Sequence, residues 1–356
     1  MASKNNSSSW VRKILVVICS IFAYISLPLL ILLVPVYSLR IVVAILAKLF
    51  KRDLGKMLTP RSNLFASEYT EMFKTRTRCS VYVSFLIDID VDLETFKKYF
   101  YDKVVARKRA ETDELQNPEM QQTITNFLGY LFWKWDKNFS MENHVKLYKG
   151  PGKVEHVTEE DLPLIMKDLA YRPFPPGQSP WDIWIWDNAR LEGDPEEKRK
   201  TLYILRVHHS LGDGFAILRL LVEDIHGTDV PTNVFEVGTK KTEKQLSGWN
   251  LIRTLMKAPY EMVSVFIHSW DFNEWRLPER KLTGKLNACL TSCIPVETMK
   301  EIKRAYGTSY TAVIFAAFAG GIRNFMLEKN MKVPRKIHCV IPLPMPGHPN
   351  KLRNHV

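Results

Sequence analysis

The residues best equipped for chemistry sit mid-chain in the run His208-His209-Ser210-Leu211-Gly212-Asp213-Gly214. It follows an apolar, strand-like segment, Thr201 to Val207, and precedes a helical apolar pattern, Phe215 to Ile225. Paired histidines at a strand end, followed by a tight Asp-Gly turn, can hold an imidazole rigidly in a buried passage. A neutral imidazole is well matched to taking a proton from an alcohol near neutral pH.

Three readings of the pair compete. In a metal site the two rings would have to share one ion, yet adjacent strand residues point to opposite faces and no nearby Cys or Glu completes a ligand set. In a purely structural role both rings would be satisfied by backbone carbonyls. In the catalytic reading one histidine faces a channel and abstracts a hydroxyl proton. Asp213 would then orient the turn through an arginine such as Arg219 or Arg323, because a buried carboxylate needs a partner. Gly212 and Gly214 would supply backbone angles that a side chain forbids.

The elements around this run alternate in type, which gives an α/β or α+β fold. Strands are expected at Cys79–Ile89, Val145–Tyr148, Trp181–Trp186, Leu286–Ile294 and Ile337–Leu343. Helices are expected at Asp92–Val105, Asn117–Trp133, Thr158–Tyr171, Pro295–Tyr306 and Tyr310–Leu327, with Gly307 breaking the last two. Arg61 to Arg78 reads as a polar linker, Pro173 to Pro180 as a turn-rich loop, and Ala189 to Lys200 as a surface loop. Trp249 to Trp270 is either a packed helix or an interfacial membrane contact.

At 356 residues, 46% hydrophobic and 25% charged, the composition is globular and long enough for two domains. The net charge is +12, but residues 1–61 hold nine Lys/Arg against one acid and account for +8 of it. The basicity flanks an apolar segment, so it belongs to a membrane surface rather than to nucleic acid. Ile14 to Val34 carries no charge and is long enough to cross a bilayer, and apolar character resumes to Phe50. Pro28 and Pro35 would kink or break a helix there. Two geometries fit: a span followed by an interfacial helix, or a re-entrant hairpin. Basic residues after the segment place the main domain in the cytosol. Sequons at Asn5, Asn6 and Asn138 argue the other way. Five scattered cysteines form no framework and favour a reducing compartment.

The run His208-His209…Asp213-Gly214 is similar to the HHxxxDG signature of the CoA-dependent acyltransferase superfamily. The chain more closely resembles the wax ester synthase/diacylglycerol acyltransferase family. Trp135-Asp136…Phe139…His144-Val145, the stretch Pro173…Ser179-Pro180-Trp181-Asp182-Ile183, and Lys303-Arg304-Ala305 through Ala319-Gly320-Gly321 carry that resemblance in order. Thr311-Ala312 stands where the family has Asn-Asp.

The resemblance implies a chloramphenicol acetyltransferase-like fold. It implies a polar tail at 1–13, a membrane anchor at 14–50, an N-terminal lobe at 62–227, a crossover at 228–247, and a second lobe begun at 248–356. That second lobe is expected to be incomplete, because relatives continue past the position of Val356. The implied reaction moves a long-chain acyl group from acyl-CoA to a fatty alcohol or diacylglycerol. His209 would be the base, with His208 and Asp213 shaping the site. The implied partners are those substrates and a lipid bilayer of the endoplasmic reticulum or plasma membrane, with no nucleic acid, metal or resident cofactor. The alternatives are a non-catalytic, membrane-tethered acyl-CoA-binding protein, motivated by Thr311-Ala312 and the chain length, and an acyltransferase with a soluble acceptor.

Overall fold

The computed structural model describes residues 3–66, 79–87, 92–109, 111–149, 158, 160–189, 200–225, 248–269, 294–339 and 351–354. The apolar N-terminus is helical but not continuous. Helix α1 (Ser3–Ser26) gives way to a 3-10 turn (Leu27–Leu32) containing Pro28, and α2 (Leu33–Phe50) follows with Pro35 in its first turn. The break falls where Pro28 deprives the backbone of an N–H, as the sequence predicts. The chain divides into two compact units at this point: residues 33–244 with 342–356, and residues 1–32 with 245–341.

The larger unit contains the two sheets. One is antiparallel, in the order β1 (Leu54–Met57), β4 (Tyr130–Trp135), β3 (Gln122–Phe127). The other is mixed, in the order β2 (Ser80–Ile87), β7 (Lys200–His208), β6 (Trp181–Ala189), β5 (Val145–Leu147), with only β5 and β6 parallel. Every residue of β7 is buried. This explains why Leu202 to Leu205 is apolar on both faces rather than alternating, while the polar Arg206 and His208 are buried as well. One of its faces presents Tyr203, Leu205 and Val207 to a core completed by Phe96 and Phe100 of α4 (Leu93–Phe100) and by Ala216 and Ile217 of α7 (Gly214–Arg219). The opposite face presents Leu202 and Ile204 to Leu162, Ile165 and Leu169 of α6 (Leu162–Tyr171). Each of these fully buried aliphatic side chains stabilises the fold by roughly 1.5–3 kcal/mol. A short helix α5 (Met141–His144) leads into β5.

Asp92 caps α4 as expected, accepting hydrogen bonds from the backbone N–H groups of Glu94 and Thr95 at 3.0 Å. The helix expected over Asn117–Trp133 is instead a 3-10 turn (Pro118–Gln121) followed by the β3–β4 hairpin. Leu128 and Gly129 adopt φ of 50° and 80°, the left-handed pair that a two-residue hairpin turn requires, and β-branched Thr123, Ile124 and Thr125 favour the strand. The presumed linker after Arg61 begins inside a helix, α3 (Pro60–Phe65), capped by Thr59. α2 is docked on the small sheet: Val43 and Ala47 pack on Phe132, and Arg40 donates to the carbonyl of Leu58.

The smaller unit holds α1, α8 (Gly248–His268), α9 (Val296–Ala305) and α10 (Tyr310–Glu328). α9 and α10 lie where the sequence places them, with Gly307 at φ 57° between them. Among the described residues α10 meets the length and apolarity needed to cross a membrane. Ile337 to Cys339 is not a strand. The expected strand at 286–294, apart from Ile294, and the crossover at 228–247 lie outside the described residues.

Candidate active site

β7 ends at His208, and the backbone N–H of His209 still pairs with the carbonyl of Cys79 at 2.6 Å. The two imidazoles meet different surroundings, as adjacent strand positions should. His208 is fully buried. Its Nδ1 accepts the backbone N–H of Ser210 at 3.2 Å and lies 2.7 Å from the Ser210 hydroxyl. A backbone N–H can only donate, so Nδ1 carries no proton and the neutral ring bears its hydrogen on Nε2.

His209 is the reverse case. Its ring is only part-buried and stacks on Phe65 of α3, with ring centroids 3.9 Å apart and planes within 14°. Its Nδ1 lies 3.0 Å from Oδ1 of Asn354. The amide of Asn354 is held by its own Nδ2, which donates to the carbonyl of His209 at 2.7 Å, the carbonyl of Ser210 at 3.3 Å and the hydroxyl of Ser62 at 3.1 Å. Two of those partners are obligate acceptors, so Nδ2 must face them and Oδ1 must face the imidazole. The His209 Nδ1–H is therefore the donor, and the neutral tautomer this selects carries its lone pair on Nε2. Among the described residues Nε2 makes no hydrogen bond.

Asp213 is buried at the start of α7, where its carboxylate accepts the backbone N–H of Ala216 at 2.9 Å. It thus locks the turn through the helix N-terminus. The proposed partner Arg219 pairs with Glu223 at 2.6 Å, and Arg323 lies on α10 of the other unit. The reading of the glycines is corrected. Neither Gly212 nor Gly214 has a positive φ. Gly212 is instead a close-approach position: a Cβ there would lie 3.2 Å from Cβ of Ala216, 3.4 Å from Leu352 Cδ2 and 3.5 Å from Arg353 N. A Cβ on Gly214 would meet open space.

Sequence reasoning missed Ser62, Phe65 and Asn354. Ser62 and Phe65 lay in the presumed linker, and Asn354 contacts His209 across 145 residues of sequence. No local pattern announces such a contact.

The larger unit holds a cavity beside this arrangement and another farther along β7. One, of about 200 Å³, is lined by Ser62, Ser210 and Glu119 together with Lys56, Arg109, Lys351 and Arg353. Burial pushes the Glu119 carboxyl above its usual range, against the pull of Lys56, Lys351 and Arg109. The second, of about 510 Å³, is almost wholly apolar and is lined by Val83, Phe85, Ile87, Phe96, Tyr99 and Tyr203. Tyr203 is on the same side of the strand as His209, about 20 Å away at the rise of an extended chain.

The supporting residues are ordered around Trp181. Its indole N–H donates to the carbonyl of Met120 at 2.8 Å, and its ring stacks on His144 with centroids 4.3 Å apart. His144 lies 2.7 Å from the carbonyl of Trp181 through Nδ1, and burial lowers its pKa. Behind the sheet, Arg206 clamps its cross-strand neighbour Asp182 with two hydrogen bonds, Nε to Oδ1 being 2.9 Å. Its remaining nitrogen donates to the carbonyls of Leu169 and Arg172 at 2.7 and 2.6 Å.

No family model matches the chain. Over 269 residues it is 20% identical to a Mycobacterium tuberculosis (strain H37Rv) protein named "Probable diacylglycerol O-acyltransferase tgs2", covering 70% of this chain and 56% of that one. Its shape is similar to that of the wax ester synthase/diacylglycerol acyltransferase from Marinobacter aquaeolei VT8, with a TM-score of 0.46 and 19% identity over 78% of this chain and 61% of that chain. The chain is thus similar, at low identity, to proteins named diacylglycerol O-acyltransferase and to a wax ester synthase/diacylglycerol acyltransferase. It spans about half the length of the curated relatives it matches. The segments that carry the sequence resemblance in the larger unit are the histidine run, Phe139 and His144 before β5, and Trp181-Asp182 on β6.

Proposed function

We propose that the chain is a membrane-tethered O-acyltransferase that moves a long-chain acyl group from acyl-CoA to a fatty alcohol or diacylglycerol. One observation carries the reading. Asn354 fixes the His209 ring with Nδ1–H as donor, so that in the neutral ring the lone pair sits on Nε2, which makes no hydrogen bond among the described residues, in a part-buried position.

In the proposed reaction Nε2 accepts the proton of the acceptor hydroxyl as that oxygen attacks the thioester carbonyl. The C–O bond forms, the C–S bond breaks, and the proton passes to the departing CoA sulfur. No covalent enzyme intermediate and no resident cofactor are needed. Stacking on Phe65 and the bond to Asn354 hold the ring in one orientation, so little ordering remains for the reaction step. The basic lining of the smaller cavity, Lys56, Arg109, Lys351 and Arg353, suits the phosphates of CoA. The apolar cavity beside Tyr203 suits an acyl tail.

The tether is the apolar stretch from Ile14 to Phe50, with basic residues after it facing a cytosolic headgroup layer of the endoplasmic reticulum or plasma membrane. Incubating membranes that carry the full chain with labelled acyl-CoA and hexadecanol or diacylglycerol tests the reaction. The reading requires ester formation that His209→Ala lowers by about 10²–10⁴-fold. Acyl-CoA binding with no turnover would favour the non-catalytic alternative, and transfer to a water-soluble acceptor would favour the other.

A further inference from the structure

The smaller unit carries a helix pair built the opposite way from a soluble one. α1 packs against α8, and the Tyr24 hydroxyl donates to the carbonyl of Met256. The side chains of α1 that this shields form one line of small and polar residues around a single valine: Val16, Cys19, Ser20 and Ala23. Its large apolar residues point outward, with Ile18 58% and Phe22 72% exposed. The hydroxyls of Ser20 and Ser26 are spent on the carbonyls four residues back, at 2.6 and 2.7 Å, and ask nothing of water. In a soluble pair the large side chains would meet between the helices. Small residues inside and large ones outside is the arrangement favoured when the surroundings are hydrocarbon.

α8 is amphipathic in the matching sense. Arg253, Lys257, Glu261 and His268 fall on one stripe at helical spacing. Asn250, Thr254 and Ser264 border that stripe, the opposite face is apolar, and α1 covers only part of the helix. Ile267 is buried, while Leu255, Met262, Val265 and Phe266 are exposed, Met262 by 76% and Phe266 by 73%. Such a continuous apolar surface beside a basic stripe fits a lipid layer with anionic headgroups.

We propose that α8 is a second membrane-contacting helix, lying in the bilayer interface against α1 with Met262 and Phe266 in the acyl region and Lys257 at the headgroups. This rests on the lipid-facing reading of α1 given above. The chain would then grip the membrane through segments more than two hundred residues apart in sequence.

The test uses the full chain with its native cysteines replaced by serine, reconstituted in phosphatidylcholine–phosphatidylserine vesicles. Single cysteines are placed by Ile18→Cys, Lys257→Cys, Met262→Cys and Phe266→Cys and labelled with an environment-sensitive fluorophore. Labels at 18, 262 and 266 are expected to be quenched by doxyl-labelled lipid and protected from iodide, and the label at 257 to be quenched by iodide. If 18 is lipid-quenched while 262 and 266 answer to iodide, the role of α8 is overturned and the tether stands. If 262 and 266 are shielded from both quenchers, protein covers α8 and the inference is likewise lost. Should 18 itself answer to iodide, the tether reading fails and takes this one with it.

Discussion

The two faces of β7 treat polar side chains in opposite ways. On the face toward α6, Arg206 is buried and clamped to Asp182 and two carbonyls, and His208 is sealed against Ser210. On the face toward α4 and α7, the strand is apolar from Tyr203 to Val207 and then reaches His209, whose ring is fixed on one nitrogen and, among the described residues, unengaged on the other. The histidines are neighbours in sequence, yet their neutral forms carry the proton on opposite nitrogens. A side chain whose every polar atom is matched can only hold the fold together. One that is held firmly by half its atoms can react with the other half.

The largest effect should come from removing that half. His209→Ala is expected to abolish nearly all ester formation while leaving the thermal unfolding midpoint within a few degrees of the parent. Loss of folding in that variant would break the contrast. On the opposite face the consequence should be reversed. Arg206→Met leaves the Asp182 carboxylate buried without its partner, which costs about 3–5 kcal/mol of stability in denaturant titration. The double variant Arg206→Met, Asp182→Leu should recover most of that loss, because no charge is then stranded.

Asn354→Ala sharpens the comparison, since it loosens the imidazole without removing it. A fall of roughly tenfold to a hundredfold in kcat with KM little changed is expected. An equal loss in both would mark Asn354 as a substrate contact instead. The smallest effect is a pH dependence at His144. Its folded pKa is lowered by burial, so the unfolded chain binds the proton first as pH falls below about 6.5. Stability should drop by at most about 1.4 kcal/mol per pH unit below that point, until the folded-state pKa is reached. Titrating His144→Phe alongside the parent isolates the contribution, which that variant should lack.

The sheet around the site was legible in the sequence. Leu202–Leu205 is an unbroken apolar run because β7 is covered on both sides, and Trp181–Trp186 alternates because Trp181, Ile183 and Ile185 enter one core while Trp184 and Trp186 border the other. The β3–β4 hairpin was missed because Ile124, Phe127, Leu128 and Leu131 recur at helical spacing; the turn residue Gly129 after a β-branched run was the stronger signal. The partners of His209 were not legible at all. Ser62 and Asn354 meet across 292 residues, and their roles come from where the chain returns rather than from any local motif.

The unengaged nitrogen of His209 can be measured without assuming a substrate. Diethyl pyrocarbonate carbethoxylates unprotonated, accessible imidazole nitrogens, and mass spectrometry assigns each modified histidine. The structure predicts that His209 reacts fast, that buried His208 and His144 react slowly, and that acyl-CoA protects His209. A His209 no more reactive than His208 would contradict the account.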